Sequence, residues 1–136
     1  MKDRIAKRIA AIEANLEILG RLKPRCEESR TDPVLRGAIL HYLYLTADSC
    51  VALAEMAVKE RGFQLPDSYH EAIDLLGERG IIPAEFADRF AGIASFRNFL
   101  AHDYEKVDMV RICGQILDML PDIETYLKLI RKAFGV

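Results

Sequence analysis

The hydrophobic residues of this chain recur at helical spacing, and no segment keeps the alternating pattern of a strand. Near the start they follow steps of four and three residues, which places them on one stripe of a helix: Ile5, Ile9, Ile12, Leu16 and Leu19. The pattern predicts a first helix over residues 3–22 that ends near Pro24, because proline removes a backbone hydrogen bond.

A second, longer helix is predicted from the Asp32-Pro33 pair to Gly62. Aspartate accepts hydrogen bonds from the free N–H groups at a helix start, proline is tolerated at the first position, and glycine commonly follows the last. The middle of this helix, residues 38–58, is apolar on nearly all sides. One neighbouring helix cannot cover it, so we expect it at the centre of a bundle or buried also against a second subunit.

Two helices are predicted to follow. Ser68 and Glu71 form a capping-box pattern, which begins a short helix that ends by residues 77–80. Pro83 begins a fourth helix, which is expected to continue without a break into a polar cluster at residues 97–104.

Asp108 can cap a fifth helix that continues toward Phe134, with Pro121 expected to kink or divide it. The sequence therefore predicts one all-α domain over residues 1–136. The expected architecture is an up-and-down bundle of four main helices with a short inserted helix.

The charge balance excludes a broadly basic surface. Nineteen Lys and Arg residues stand against twenty-one Asp and Glu residues, for a formal net charge of −2. Any binding of phosphate must depend on a few placed cations. The longest stretch without a charge is residues 37–47, which is too short for a membrane-spanning helix. Charged residues of both signs are interspersed through the first twenty residues, so no secretion signal is expected. These features predict a cytoplasmic protein without a membrane partner.

The three cysteines, Cys26, Cys50 and Cys113, do not form a CxxC motif. Their odd number argues against a disulfide framework or a structural zinc site and for a reducing compartment. Cys50 and Cys113 lie in apolar helical segments, where they are expected to act as small buried apolar residues.

The polar cluster at residues 97–104 is the strongest candidate for chemistry, since no nucleotide-binding or hydrolase motif is found elsewhere. Arg97 can bind phosphate with a planar fork, His102 can transfer a proton near neutral pH, and Tyr104 can position a substrate. These groups suffice to cleave RNA by attack of the ribose 2′-hydroxyl on the adjacent phosphate.

The spacing of Arg97 and His102 limits how the two side chains can meet. Five positions place them about 140° apart on a continuous helix. They can converge on one phosphate only if the helix ends near His102, or if two chains combine their copies. From spacing alone, surface residues or a helix C-cap are the more common explanation of such a cluster.

Residues 95–108 resemble the signature of the HepT-like branch of the HEPN ribonucleases, R-x4-H-x-Y followed by V-D. Arg97, His102 and Tyr104 fit the spacing, and Asn98 follows the arginine as it usually does in the family. Similar segments cover most of the chain: residues 32–36, 66–73 and 80–83. Ser95 and Ala101 depart from the glycine and valine that the pattern favours.

This resemblance implies an all-helical, homodimeric toxin of a toxin–antitoxin system that cleaves RNA without a metal or other cofactor. The partner implied is an MntA-like nucleotidyltransferase, which neutralises the toxin by transferring AMP to the motif tyrosine. Carried onto this sequence, Arg97 and His102 would be catalytic, Asn98 would support them, and Tyr104 would accept AMP. The added anion would exclude RNA by its bulk and by charge repulsion.

Several other polar residues have two interpretations. Asp48 either orients Arg97 or Asn98 from a facing helix or subunit, or is exposed at a seam of the bundle. His41 is interpreted as an interface residue rather than a catalytic one, and His70 as solvent-facing. Asp103 and Glu105 would repel RNA and are expected to point outward.

Two alternative functions remain open at this stage. A catalytically inactive helical dimer could still bind a minimal nucleotidyltransferase through the same surface and the same tyrosine. A part in a composite nucleotidyltransferase is less favoured, because the sequence has no glycine-rich phosphate loop and no metal-binding acidic pair.

Overall fold

The computed structural model describes residues 2–136, and within them every regular element is helical. The α-helices are α1 (Lys2–Leu22), α2 (Pro33–Glu60), α3 (Tyr69–Glu78), α4 (Ala84–Phe90), α5 (Gly92–His102), α6 (Met109–Arg111) and α7 (Leu120–Phe134). Three 3₁₀ segments (Lys23–Arg30, Tyr104–Lys106 and Leu117–Met119) and one π-helical segment (Ile112–Ile116) connect them. The predicted all-α fold class is confirmed.

Helix α2 is the central element of the bundle, because α1, α3 and α5 all pack against it. Asp32 caps its start, since Oδ1 accepts hydrogen bonds from the N–H groups of Val34 and Leu35 at 3.0 and 3.2 Å. Gly62 follows its end with a φ of 71°, a left-handed conformation that favours glycine. Both predicted boundaries of this helix are confirmed.

The composition of α2 follows from this central position. Helix α2 is long and apolar enough to cross a membrane, judged by length and composition only. The distribution of charged residues along the sequence had predicted no such helix. However, 56% of its most apolar window is buried inside the molecule. The surrounding helices therefore account for a helix that is apolar on nearly all sides.

Helix α3 begins as the capping box predicts. Ser68 Oγ accepts a hydrogen bond from the N–H of Glu71 at 3.1 Å. The Glu71 carboxylate accepts in return from the N–H of Asp67 at 2.9 Å, one residue before the cap. The two bonds satisfy backbone donors at the start of the helix.

The prediction of one unbroken fourth helix was wrong, because a turn at Ala91 separates α4 from α5. Helix α4 packs on α3, where a Cβ at Gly77 would lie only 2.5 Å from the Cβ of Ala87. Helix α5 packs instead on α2. The apolar stripe continues across the turn, so the sequence pattern did not predict that α4 and α5 have different main packing partners.

The predicted fifth helix is divided, as Pro121 suggested. Asp108 caps its start by accepting a hydrogen bond from the N–H of Val110 at 3.0 Å. The chain then passes through the π-helical and 3₁₀ segments before α7 begins, with Pro121 in the first turn of α7. Proline is tolerated in that turn because the N–H groups there have no partner within the helix.

The expectation of no disulfide was wrong for two of the three cysteines. Cys26, in the 3₁₀ segment after α1, is bonded to Cys113, in the π-helical segment, with a Cα–Cα distance of 5.7 Å. Cys113 is therefore a half-buried bonded residue rather than a small buried apolar one. Cys50 is buried as expected, and burial raises the pKa of its thiol.

We expect reduction of this bond to destabilise the protein. Its two cysteines are 87 positions apart, and closing a loop of this size stabilises the fold by about 4–5 kcal/mol in the chain-entropy model. Dithiothreitol, or Cys113→Ser, should therefore lower the melting temperature by about 10–15 °C. Thermal unfolding with and without reductant measures the shift, and the double variant Cys26→Ser/Cys113→Ser should not respond to reductant.

Counting thiols checks the same bond independently. After denaturation without reductant, iodoacetamide should modify Cys50 alone, whereas after reduction it should modify all three cysteines. Three modified cysteines in the unreduced sample would contradict the bond.

Candidate active site

The end of α5 determines where the motif side chains lie. Arg97 lies within α5, and His102 is its last residue. The N–H of Asp103 donates to the carbonyl of Phe99 at 2.8 Å, and Tyr104 then begins a separate 3₁₀ turn. Arg97 and His102 are therefore separated along one continuous helix, which ends directly after His102.

Arg97 is held in place by the central helix. Its Nε donates to Oδ1 of Asp48 at 2.9 Å, and its Nη1 donates to Oδ1 of the neighbouring Asn98 at 3.2 Å. The side chain of Arg97 is 18% exposed and that of Asp48 is 40% exposed. The hydrogen bond to Asp48 is the main cause that raises the pKa of Arg97, so the guanidinium stays charged. Of the two interpretations of Asp48, the structure supports contact with Arg97.

Two tyrosine rings also contact the Arg97 guanidinium. Its central carbon lies 5.4 Å from the ring centroid of Tyr44 on α2 and 4.9 Å from that of Tyr69 on α3. Cation–π contacts of this kind restrict the orientation of a guanidinium. Neither tyrosine was predicted from the sequence. Tyr44 could have been found, because it lies one helical turn from Asp48, whereas Tyr69 is placed only by the packing of α3 on α2.

His102 is exposed at the C-terminal end of α5. Among residues 2–136, no hydrogen bond joins its imidazole to Arg97 or to Tyr104. The structure thus places the two principal motif residues on the same short element without bringing their side chains into contact. Convergence of Arg97 and His102 on one phosphate stays a prediction.

Tyr104 lies against the first half of α2 and is 42% exposed. Its hydroxyl oxygen would be 3.6 Å from a Cβ placed on Gly37, an ordinary van der Waals distance, so the phenol lies beside the start of α2. Nearby, Arg36 donates to the carbonyl of Val107 at 3.1 Å and ties the segment after the motif to α2. The motif tyrosine is therefore both positioned and accessible.

The other polar candidates from the sequence make no hydrogen bond to Arg97 within residues 2–136. His70 pairs with Asp74 on α3, with 2.9 Å between Nδ1 and Oδ2, and is exposed as expected. Asp103 is half-buried with its carboxylate 3.8 Å from Lys106, and Glu105 is exposed. Within residues 2–136, no three His, Cys, Asp or Glu side chains are grouped closely enough to hold a metal ion.

A cavity of about 470 Å³ lies on the other side of α5, between α2 and the segment that joins α5 to α7. Its walls are mainly apolar and include Phe96, Phe99 and Ile112, with Thr46 in the α2 wall. None of the residues that line it belongs to the Arg97, His102 and Tyr104 set. The candidate site is therefore the seam where the end of α5 packs on α2, defined by Arg97, His102 and Tyr104 and called the groove, and it is separate from this cavity.

Comparison with known families and proteins identifies relatives across most of the chain. The family described as "Ribonuclease HepT-like" matches residues 7–130. The chain is also similar to the mRNA nuclease HepT of Shewanella oneidensis, with 20% identity over 131 residues that cover 96% of this chain and 98% of that protein.

Two solved structures share the fold. One is a tri-AMPylated HEPN toxin of Shewanella oneidensis in complex with an MNT antitoxin, with a TM-score of 0.82, 20% identity and coverage of 97% of this chain and 99% of that one. The other is YutE, a cytosolic protein of unknown function from Bacillus subtilis, with a TM-score of 0.78, 17% identity and coverage of 96% and 87%. The likeness confirms the predicted HEPN-like fold.

We expect the Arg97–Asp48 pair to be energetically coupled. A double-mutant cycle with Arg97→Ala and Asp48→Ala, measured by urea unfolding, should give a coupling of about 1 kcal/mol, because the pair is hydrogen-bonded and partly shielded from water. The exposed Arg21–Glu17 pair on α1, with side chains 73% and 68% exposed, is the matched control. A coupling no larger than that of the control would show that Asp48 does not hold Arg97.

Proposed function

This chain belongs to the HepT-like ribonuclease family, and from that membership we propose that it is an endoribonuclease toxin of a toxin–antitoxin system. In this proposal, two copies of the chain form a cleft from their R-x4-H-x-Y motifs and cleave RNA without a metal ion. The observation that carries it is the geometry of Arg97, a charged and partly exposed guanidinium held by Asp48 where α5 packs on α2.

Arg97 is the phosphate-binding residue of this proposal. A guanidinium has five N–H donors, and the bonds to Asp48 and Asn98 use two of them, which leaves three for phosphate oxygens. Those donors can stabilise the negative charge that grows on the phosphoryl oxygens in the transition state. Asp48 and Asn98 support the reaction by holding Arg97 in one orientation.

His102 is the general base. Its exposed imidazole takes the proton from the ribose 2′-hydroxyl, and the resulting oxygen attacks the adjacent phosphorus. The bond from phosphorus to the 5′-oxygen of the next nucleotide then breaks. The products are a 2′,3′-cyclic phosphate and a new 5′-hydroxyl end.

Neutralisation is assigned to Tyr104. The similar solved toxin carries AMP and is bound to an antitoxin, and the hydroxyl of Tyr104 lies at an exposed position beside the groove. A nucleotidyltransferase partner would transfer AMP to this hydroxyl. The attached phosphate would then occupy the approach to the groove and repel the RNA backbone.

A cytoplasmic location is also part of this proposal, since one similar solved protein is described as cytosolic. Disulfide bonds are rare in that compartment. The Cys26–Cys113 bond is therefore the observation in this structure that weighs against a cytoplasmic location.

Substitution of Arg97 or His102 tests the nuclease. Arg97→Ala and His102→Ala should each slow cleavage of a long single-stranded RNA by about 100-fold or more, because they remove charge stabilisation and the general base. Cleavage is measured on a gel in the presence of EDTA, with helical content checked by circular dichroism.

His70→Ala is the matched control, because His70 is an exposed histidine on α3 that is paired with Asp74 rather than with the motif. It should cleave RNA at the wild-type rate. Full activity of the His102→Ala protein would rule out the nuclease proposal. A wild-type protein that binds a nucleotidyltransferase but cleaves no RNA would support the inactive helical dimer instead.

Tyr104→Phe tests the modification. When the wild-type chain is produced together with its nucleotidyltransferase partner, intact-mass measurement should show the addition of whole AMP units, and these should vanish in Tyr104→Phe. Tyr42→Phe, on α2, should retain them. An unshifted mass under conditions where RNA cleavage is suppressed would mean that the partner inhibits by covering the groove.

A further inference from the structure

The proposed cleavage reaction needs two proton transfers, and the motif assigns only one of them. A general base takes the 2′-hydroxyl proton, and a general acid must protonate the 5′-oxygen as it leaves, since an alkoxide is a poor leaving group in water. If the proposed function is correct, another residue must therefore act as this general acid.

One face of α2 lies along the groove. Gly37, His41, Tyr44 and Asp48 follow steps of four, three and four residues, and at 100° per residue they fall within an arc of about 60°. Three of these four residues contact or closely approach the motif. Gly37 faces the hydroxyl of Tyr104, and Tyr44 and Asp48 both contact Arg97.

His41 is the fourth residue of this face. Along the helix axis it lies about 6 Å from Gly37 and about 4.5 Å from Tyr44, at a rise of 1.5 Å per residue. Its backbone position on α2 therefore lies between the residue that faces Tyr104 and the residues that contact Arg97. The sequence alone suggested an interface residue at position 41, because it does not reveal that Gly37, Tyr44 and Asp48 approach the motif.

The imidazole of His41 is free to act there. The side chain is exposed, with its ring edge-on to Tyr42 at a centroid distance of 5.1 Å. Across the described part of the chain, no ion pair involves its nitrogens, whereas His70 is paired with a carboxylate. An imidazolium is also a stronger acid than a phenol, which favours it over a tyrosine as a proton donor.

We propose that His41 is the general acid of RNA cleavage by this protein. As the bond from phosphorus to the 5′-oxygen breaks, protonated His41 donates its proton to that oxygen, while His102 holds the proton taken from the 2′-hydroxyl. One chain ends with a 5′-hydroxyl and the other with a 2′,3′-cyclic phosphate. Proton exchange with water returns both histidines to their starting forms, and no oxidant or metal enters the balance.

A matched pair of RNA substrates tests this role. Both are the same oligonucleotide with one ribose at a site that the wild-type protein cuts, and deoxyribose elsewhere. In one, the leaving atom is the normal 5′-oxygen. In the other it is sulfur, which departs as a thiolate without a proton. Removing a general acid should slow only the oxygen substrate.

We expect His41→Ala to slow cleavage of the oxygen substrate by about 100-fold or more and to change cleavage of the sulfur substrate by less than about threefold. Arg97→Ala and His102→Ala should slow both substrates, and His70→Ala should slow neither. Near-normal cleavage of the sulfur substrate by His41→Ala also shows that this variant folds.

Each other outcome overturns the inference. Equal slowing of both substrates would make His41 a structural or binding residue. Wild-type rates on both would assign the acid to another group, such as His102 of a second copy. If His102→Ala and Arg97→Ala lose activity as expected while His41→Ala does not, only this inference fails. If the wild-type protein cuts no RNA, so that no cleavage site can be chosen for the two substrates, the proposed function fails and the inference fails with it.

Discussion

The hydrogen bond from Arg97 to Asp48 joins the helix that carries the motif to the helix around which the bundle is built. A guanidinium on an exposed helix end would sample many orientations, and ordering it on substrate binding would cost side-chain entropy. Here Asp48 holds one edge of it, and the rings of Tyr44 and Tyr69 restrict its plane. Arg97 is thus held in place before any ligand binds, which is the preorganisation that its proposed role in stabilising phosphate charge requires.

Helix α2 has two roles that require different residue types: apolar residues for the core and polar residues facing the motif. Most of its surface is buried against α1, α3 and α5, which requires apolar residues on nearly all sides. A narrow face that includes Tyr44 and Asp48 must remain polar, because it faces the motif. A charged residue within an apolar helix is expensive to bury alone. Asp48 avoids that cost, since it stays 40% exposed and accepts a hydrogen bond from Arg97.

The segment between the motif and α7 is the least regular part of the described chain. It passes from three residues of α-helix through π-helical and 3₁₀ turns, and two contacts from far along the sequence restrain it. Arg36 donates to the carbonyl of Val107, and Cys26 is bonded to Cys113. These contacts hold the position of Val107 next to the 3₁₀ turn of Tyr104, so the stability of this segment and the geometry of the groove are linked.

The sequence by itself determined the features that depend on neighbours within a few positions. The apolar periodicity predicted the helices, the side chains of Asp32, Ser68 and Asp108 predicted helix starts, and Pro121 predicted a division. The spacing of the motif and its resemblance to a family identified Arg97 and His102 as the candidate chemistry. Local rules suffice here because caps and periodicity act over one or two turns.

Only the tertiary structure decided which of these elements meet. At Ala91 the main neighbour changes, because α4 packs on α3 whereas α5 packs chiefly on α2, although the apolar stripe is continuous across the turn. The bond between Cys26 and Cys113 and the contact of Tyr69 with Arg97 join residues far apart in the sequence. The proposal for His41 likewise depends on the contacts that its neighbours on α2 make with the motif. The local sequence pattern does not predict contacts of this kind, because they form only when distant segments pack against one another.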